Sequence, residues 1–229
     1  MTDSYVIAQS KIWDPEMSQK LSHATNSTFF EVNSESELSL ENLGKMAPRI
    51  IFFPHWSSKI GKDIFENFEC IVFHMTDLPF GRGGSPLQNL IIRGHSTTRI
   101  SALRCQTEVD AGPIYLKKNL SLIGSAQEIY VRAASVIREM IIEIIRERPL
   151  PVDQIGEATY FKRRKPDESE INCVGSLTAV YDMIRMLDAD GYPHAFIKMD
   201  NFRLELRNAR WINGVLHADS RFIADETKK

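Results

Sequence analysis

Cys70-Ile71-Val72-Phe73-His74-Met75-Thr76-Asp77-Leu78-Pro79-Phe80-Gly81-Arg82-Gly83-Gly84-Ser85-Pro86-Leu87-Gln88 is the stretch on which the reading of this chain turns. Residues 70–73 are a short apolar run of β-formers and read as a buried strand. His74 stands at the C-terminal end of that strand. Pro79 and the glycines around Arg82 then make a loop in which the backbone can turn sharply or approach a ligand. Pro86 suits the first position of a helix over residues 87–92. Ligands of open α/β sheets gather outside the C-terminal ends of the strands. Two readings of His74 follow: a group placed for chemistry beside a glycine-rich loop, or a satisfied buried histidine beside a tight turn.

Upstream, residues 5–8 read as a strand, 15–24 as a helix and 28–32 as a second strand. Residues 35–45 are a helical candidate with Ser34 as N-cap. Residues 48–53 are a third strand, whose continuous apolar character suits cover on both faces. A short helix over 61–65 leads into the central strand. The β-α-β-α-β-α-β order predicts an α/β fold with a doubly wound, mostly parallel sheet. Gln9-Ser10-Lys11 follows the first strand where a dinucleotide site needs Gly-x-Gly-x-x-Gly.

Downstream, residues 97–105 and 114–118 extend the sheet in an antiparallel or mixed sense, separated by the loop Thr107-Glu108-Val109-Asp110-Ala111-Gly112-Pro113. The longest helix spans 125–148, with Ile129, Ala133, Val136, Ile137, Met140, Ile141 and Ile144 at core-facing spacing. Pro149 and Pro151 end it. The chain thus divides into a core over 1–150, a linker over 151–175 and a small α+β appendage over 176–229. The linker carries Lys162-Arg163-Arg164-Lys165, which reads either as a solvated face or as a site for an acidic ligand. The appendage reads as a helix over 176–187 and extended runs at 196–199, 202–206 and 209–212, with Asn213-Gly214 as a hairpin turn.

A chain of 229 residues that is 43% hydrophobic can bury a sizeable core. Its net charge of −2 supplies no global basic field, so no nucleic-acid partner is expected from composition. Cys70, Cys105 and Cys173 are scattered without a CxxC pair, which argues against a disulfide framework, a structural zinc or another metal site. The longest apolar run, 140–145, is interrupted by Glu143 and far too short to span a bilayer. With no signal-peptide pattern, a cytoplasmic protein without membrane contact is expected.

Phe73-His74-Met75-Thr76-Asp77-Leu78-Pro79, then Arg82-Gly83-Gly84-Ser85-Pro86 and later Val109-Asp110-Ala111-Gly112-Pro113-Ile114, resembles the formyltransferases that use 10-formyltetrahydrofolate. The resemblance covers residues 48–148 and implies a Rossmann-like formyltransferase core with 10-formyltetrahydrofolate as co-substrate. In this family an amine attacks a formyl carbon, passes through an oxyanion and loses a proton. By motif position His74 is the family's histidine, Asp110 its aspartate, and Thr76 stands for the serine two residues after the histidine. The resemblance further implies a folate pocket at Pro54, Trp56, Ser57, Ile60 and Val109, with Arg82 and Gly83 on the acceptor side. Asp110 also reads as a plain turn residue, Trp56 as a buried aromatic anchor and Arg82 as a solvated cation.

One position departs from the pattern. Val72 occupies the place of the family's asparagine, and valine cannot donate a hydrogen bond to an oxyanion. Thr76, His55 or a backbone amide of the 77–84 loop would have to substitute. The short tail, which resembles the segments that follow the core in sugar N-formyltransferases, implies a small amino-sugar acceptor, nucleotide-linked, and no nucleic acid. The alternatives are a methionyl-tRNA formyltransferase-like enzyme, a formyl-folate hydrolase and a non-catalytic folate- or nucleotide-sugar-binding relative. The exposed extended runs of the tail offer an edge for a homodimer.

Overall fold

Apolar residues fill both faces of the central strands, and the computed structural model, which describes residues 2–172 and 175–224, builds its main sheet around them. In chain order the elements are β1 (Ser4–Gln9), α1 (Met17–Thr25), β2 (Thr28–Val32), α2 (Leu40–Met46), β3 (Ile50–His55), α3 (Lys62–Asn67) and β4 (Cys70–His74). There follow β5 (Arg82–Gly83), α4 (Pro86–Ile92), β6 (Thr97–Arg104), β7 (Ile114–Ser121), α5 (Ala126–Glu147) and β8 (Tyr160–Phe161). A 3₁₀ turn (Pro166–Ser169), α6 (Leu177–Arg185), β9 (Ala195–Lys198), β10 (Phe202–Ile212) and β11 (Val215–Ala224) complete the order.

The main sheet runs β2-β1-β3-β4-β6-β7. The first four of these strands are parallel, and β6 joins β4 antiparallel, in the register Val72↔Leu103 and His74↔Ser101. This is the doubly wound arrangement with an antiparallel extension that the element order predicts. One face of the sheet packs Val6, Ala8, Ile51, Phe53 and Cys70 against Leu43 of α2 and Ile64 of α3. The other carries the rings of Tyr5, Phe52 and Phe73 in successive contact at 5.9 and 6.4 Å. In α5, residues Ile129, Ala133, Ile137, Met140 and Ile141 are wholly buried, as their spacing requires.

The chain forms two compact units. The first comprises Met1–Gly83, Thr98–Leu120 and Val131–Tyr160; the second comprises Gly84–Thr97, Ser121–Tyr130 and Phe161–Lys229. Within the second, β11, β10 and β9 make a three-stranded antiparallel sheet. Asn213 and Gly214 turn the hairpin with φ of 51° and 78°, both in the left-handed region that a two-residue primed turn demands. In the same unit, Arg185 of α6 donates to the carbonyls of Leu122 and Gly124 at 2.6 and 3.0 Å. Among the described residues no helix is long and apolar enough to cross a membrane.

Three local expectations change. The helix expected over 35–45 begins only at Leu40, because Ser39 rather than Ser34 is its cap and accepts the Asn42 N–H at 3.3 Å. The two runs expected at 202–206 and 209–212 are one strand, irregular between Arg207 and Arg210, where Asn208 takes a φ of 52°. Tyr160 and Phe161, inside the stretch read as a linker, pair with β5 as a two-stranded ladder. Cys173 and residues 225–229 of the expected appendage lie outside the described residues.

Candidate active site

Strand β4 delivers His74 to the C-terminal edge of the parallel strands, where it is 8% exposed. The chain then dives inward, since Thr76 and Leu78 are fully buried. Ser101 of β6 fixes this descent by donating to the Thr76 carbonyl at 2.8 Å and accepting the Leu78 N–H at 3.3 Å. Gly81 and Gly83, at φ of 72° and 100°, turn the loop back beneath the histidine. His74 Nε2 then lies 2.8 Å from the Gly81 carbonyl oxygen. The Thr76 hydroxyl points at the same oxygen from 3.4 Å.

Asp110 arrives from the loop between β6 and β7. Its Oδ2 lies 3.4 Å from His74 Nδ1 and accepts the Gly83 N–H at 2.9 Å. Asp110 sits at a φ of 55°, a conformation that its short polar side chain tolerates. Two residues on, Gly112 is dictated by space: a Cβ there would sit 1.9 Å from the Arg104 carbonyl oxygen. Both ring nitrogens of His74 therefore face acceptors. The neutral ring satisfies one of them and the charged ring satisfies both.

Arg82 meets protein rather than solvent. Its guanidinium donates to Gln154 Oε1 at 2.8 and 3.2 Å, to Glu108 Oε1 at 3.1 Å and to the Tyr160 hydroxyl at 3.4 Å. Gln154 Nε2 in turn donates to the carbonyls of Asp110 and Gly112 at 2.8 and 2.9 Å. Thr159 accepts the Gly81 N–H on its hydroxyl at 2.8 Å and the Arg82 N–H on its carbonyl at 2.9 Å. Gln154, Thr159 and Tyr160 were not singled out by sequence reasoning. They fall in the segment read as linker, where the only pointer was the extended-looking Ala158-Thr159-Tyr160-Phe161.

The structure brings His74, Asp110, Thr76, Arg82 and Gly83 into one cluster, joined by hydrogen bonds and by the 3.4 Å contact between His74 and Asp110. The residues expected on the folate side are more dispersed. Pro54 and Ile60 are buried, the latter in the core cluster, while Ser57 is exposed and its N–H donates to Ser10 Oγ at 3.2 Å. Trp56 packs edge-on against Phe53 at 5.9 Å, and its buried indole nitrogen has no acceptor among the described residues. Val109 is 60% exposed beside Asp110. Burial pushes the His55 imidazole down to about 4.

Val72 packs against the apolar cluster of the sheet face, which is why a valine is stable there. The neighbouring loop offers few replacements for an asparagine donor. From 78 to 83 every non-proline amide already has an acceptor: Leu78 on Ser101, Phe80 on Asp77, Gly81 and Arg82 on Thr159, and Gly83 on Asp110.

Comparison with known proteins bears on what this cluster belongs to. A family model described as the C-terminal domain of methionyl-tRNA formyltransferase matches residues 166–223. The methionyl-tRNA formyltransferase of Thermodesulfovibrio yellowstonii is 26% identical over 173 residues, 72% of this chain and 56% of that protein. The chain thus spans little more than half the length of the curated relatives it matches. The structure of a methionyl-tRNA formyltransferase from Clostridium thermocellum superposes with a TM-score of 0.93 at 47% identity, covering 97% of this chain and 100% of that one. A sugar N-formyltransferase from a Shewanella species superposes at 0.66 with 15% identity over 99% of both chains, a likeness of fold alone.

These findings correct the expectation of a small amino-sugar acceptor and no nucleic-acid partner. The strong similarity is to proteins named for methionyl-tRNA, and the sugar enzymes share only the fold. The expectation failed because a net charge averages over the whole chain and a short tail does not specify an acceptor. With near-complete coverage at 47% identity, the chain belongs to the formyltransferase family.

Proposed function

We propose that this chain transfers a formyl group from 10-formyltetrahydrofolate to the amino group of methionyl-tRNA. The observation that carries the reading is the His74–Asp110 pair at the ligand edge of the sheet, in a chain so similar to a methionyl-tRNA formyltransferase. The folate co-substrate supplies the activated formyl carbon. The indole N–H of Trp56, without an acceptor among the described residues, and the exposed side chain of Val109 suit a flat heteroaromatic ring with polar edges.

In the reaction a bond forms between the amine nitrogen and the formyl carbon, the bond from that carbon to the folate nitrogen breaks, and the amine proton ends on the folate nitrogen. His74 is the basic group that serves this proton transfer, and Asp110, facing Nδ1, orients the ring and balances its charge. The Gly81 carbonyl accepts from the protonated Nε2. The charged ring also offsets the negative charge that develops on the formyl oxygen, a part the amides of Leu78, Gly81 and Gly83, already bonded, are not free to play. Thr76 is a positioning residue that helps to hold Gly81 under the imidazole.

For the tRNA, local charge matters more than the total of −2. The second unit gathers Lys162, Arg163, Arg164 and Lys165 in one run and Arg203, Arg207 and Arg210 along β10, cations suited to phosphates. A methionyl-tRNA acceptor also implies a cytoplasmic enzyme. The test is incubation of the purified protein with methionyl-tRNA and 10-formyltetrahydrofolate, with mass analysis of the esterified amino acid. Formylmethionine is expected. Methionine that stays unmodified while the folate binds would reject the acceptor.

A further inference from the structure

Asp110 needs more than its place in the sequence to face His74. Its backbone lies in the left-handed region at a φ of 55°, on a loop whose neighbour Val109 is 60% exposed. Its carboxylate is tied to the Gly83 N–H, but a side-chain bond does not fix the backbone that carries it. That backbone is fixed by Gln154, whose Nε2 donates to the carbonyls of both Asp110 and Gly112 at 2.8 and 2.9 Å. The two carbonyls only accept and the Arg82 guanidinium only donates, so the amide of Gln154 has one orientation that satisfies all four bonds. Arg82 is oriented in turn by Glu108 and Tyr160, which close the ring of contacts onto the same loop.

We infer that Gln154 is a positioning residue for formyl transfer: it holds the Asp110 loop in register with His74, and Arg82 serves to orient Gln154 rather than to bind the acceptor. This rests on the proposed role of the His74–Asp110 pair. Charge-balancing groups act through geometry fixed before the reaction, and a displacement of order 1 Å costs about 10²-fold in rate. Gln154 lies where the chain was read as a linker, so neither the glycine loop nor the aspartate motif points to it.

The experiment compares Gln154→Ala, Gln154→Glu, Asp110→Asn and the double variant Gln154→Ala/Asp110→Asn. Glutamate keeps the acceptor for Arg82 and adds charge to that pair, but it cannot donate to the two carbonyls and sets a carboxylate against them. Both Gln154 variants are expected to lose about 10²-fold in kcat with KM for the folate little changed and thermal melting preserved. The double variant is expected to be no slower than Asp110→Asn, since Gln154 acts through Asp110. Wild-type kcat in Gln154→Glu would overturn the inference, because pairing with Arg82 would then be the whole role. Additive losses in the double variant would overturn it too. A readout independent of turnover separates this from the proposed function: the Gly83 amide, which donates to Asp110, should shift its resonance in Gln154→Ala as the loop moves. If it moves while the wild type transfers no formyl group, the positioning stands and the function falls; if it stays, the inference fails.

Discussion

Asp110→Asn removes one negative charge and almost nothing else. The Asn Oδ1 still accepts the Gly83 N–H that Asp110 now takes at 2.9 Å, and the loop keeps its anchors on Gln154. What is lost is the attraction between the carboxylate and a charged imidazole 3.4 Å away. At an effective dielectric of about 20 that attraction is ~5 kcal/mol, and allowing half for solvent at the site's rim leaves ~2–3 kcal/mol. If His74 is charged in the transition state and not before, that free energy belongs to the barrier and predicts a fall in kcat of roughly 30–150-fold. The assay is steady-state formylation of methionyl-tRNA at saturating folate, beside a binding titration of the folate and a thermal melt. Folate affinity should stay within about threefold and the melting temperature within about 3 °C. A kcat within twofold of wild type, or a loss of folate affinity as large as the loss in kcat, would refute the reasoning and return Asp110 to the role of a turn residue.

Two other perturbations follow from the same structure. His55 is held near 4 when folded and returns to about 6.5 when unfolded, so the unfolded chain binds the extra proton between those values. Its contribution to stability is therefore complete above pH 6.5 and is lost as the pH falls toward 4, by at most ~3 kcal/mol. Denaturant melts at pH 7 and pH 5 should show a smaller drop for His55→Gln than for wild type, and equal drops would contradict it. Val72→Asn places a donor two residues before His74 at the expense of a side chain packed in the apolar cluster. It should lower stability by about 1–3 kcal/mol and raise kcat by at least tenfold, since one oxyanion donor is worth roughly 10²–10³. An unchanged kcat in folded Val72→Asn would mean that His74 alone already supplies what the oxyanion needs.

The parallel sheet was legible because its strands are continuous apolar runs separated by helical patterns, a signal that each segment carries locally. Residues 48–53 and 70–73 are examples, and β3 and β4 lie where they point. The Asn213-Gly214 turn was legible for the same reason, since two residues suffice to specify it. The cap of α2 was misplaced because Ser34 and Ser39 are equivalent as sequence signals. The side-chain bonds decide between them: the Glu37 carboxylate accepts the Asn33 N–H and Ser39 accepts that of Asn42. Gln154 and Thr159 were invisible for a different reason. Each acts on a loop more than forty residues away through hydrogen bonds that no periodicity or spacing encodes. The acceptor was misjudged because total charge is a sum and recognition is local.

The most direct test of the account is formyl transfer to methionyl-tRNA by the wild-type protein and His74→Ala, measured side by side with folate binding. The account predicts formylmethionyl-tRNA from the wild type, and from the variant a rate lower by at least about 10²-fold with folate still bound. Equal rates would take the reaction away from His74 and from the cluster built around it.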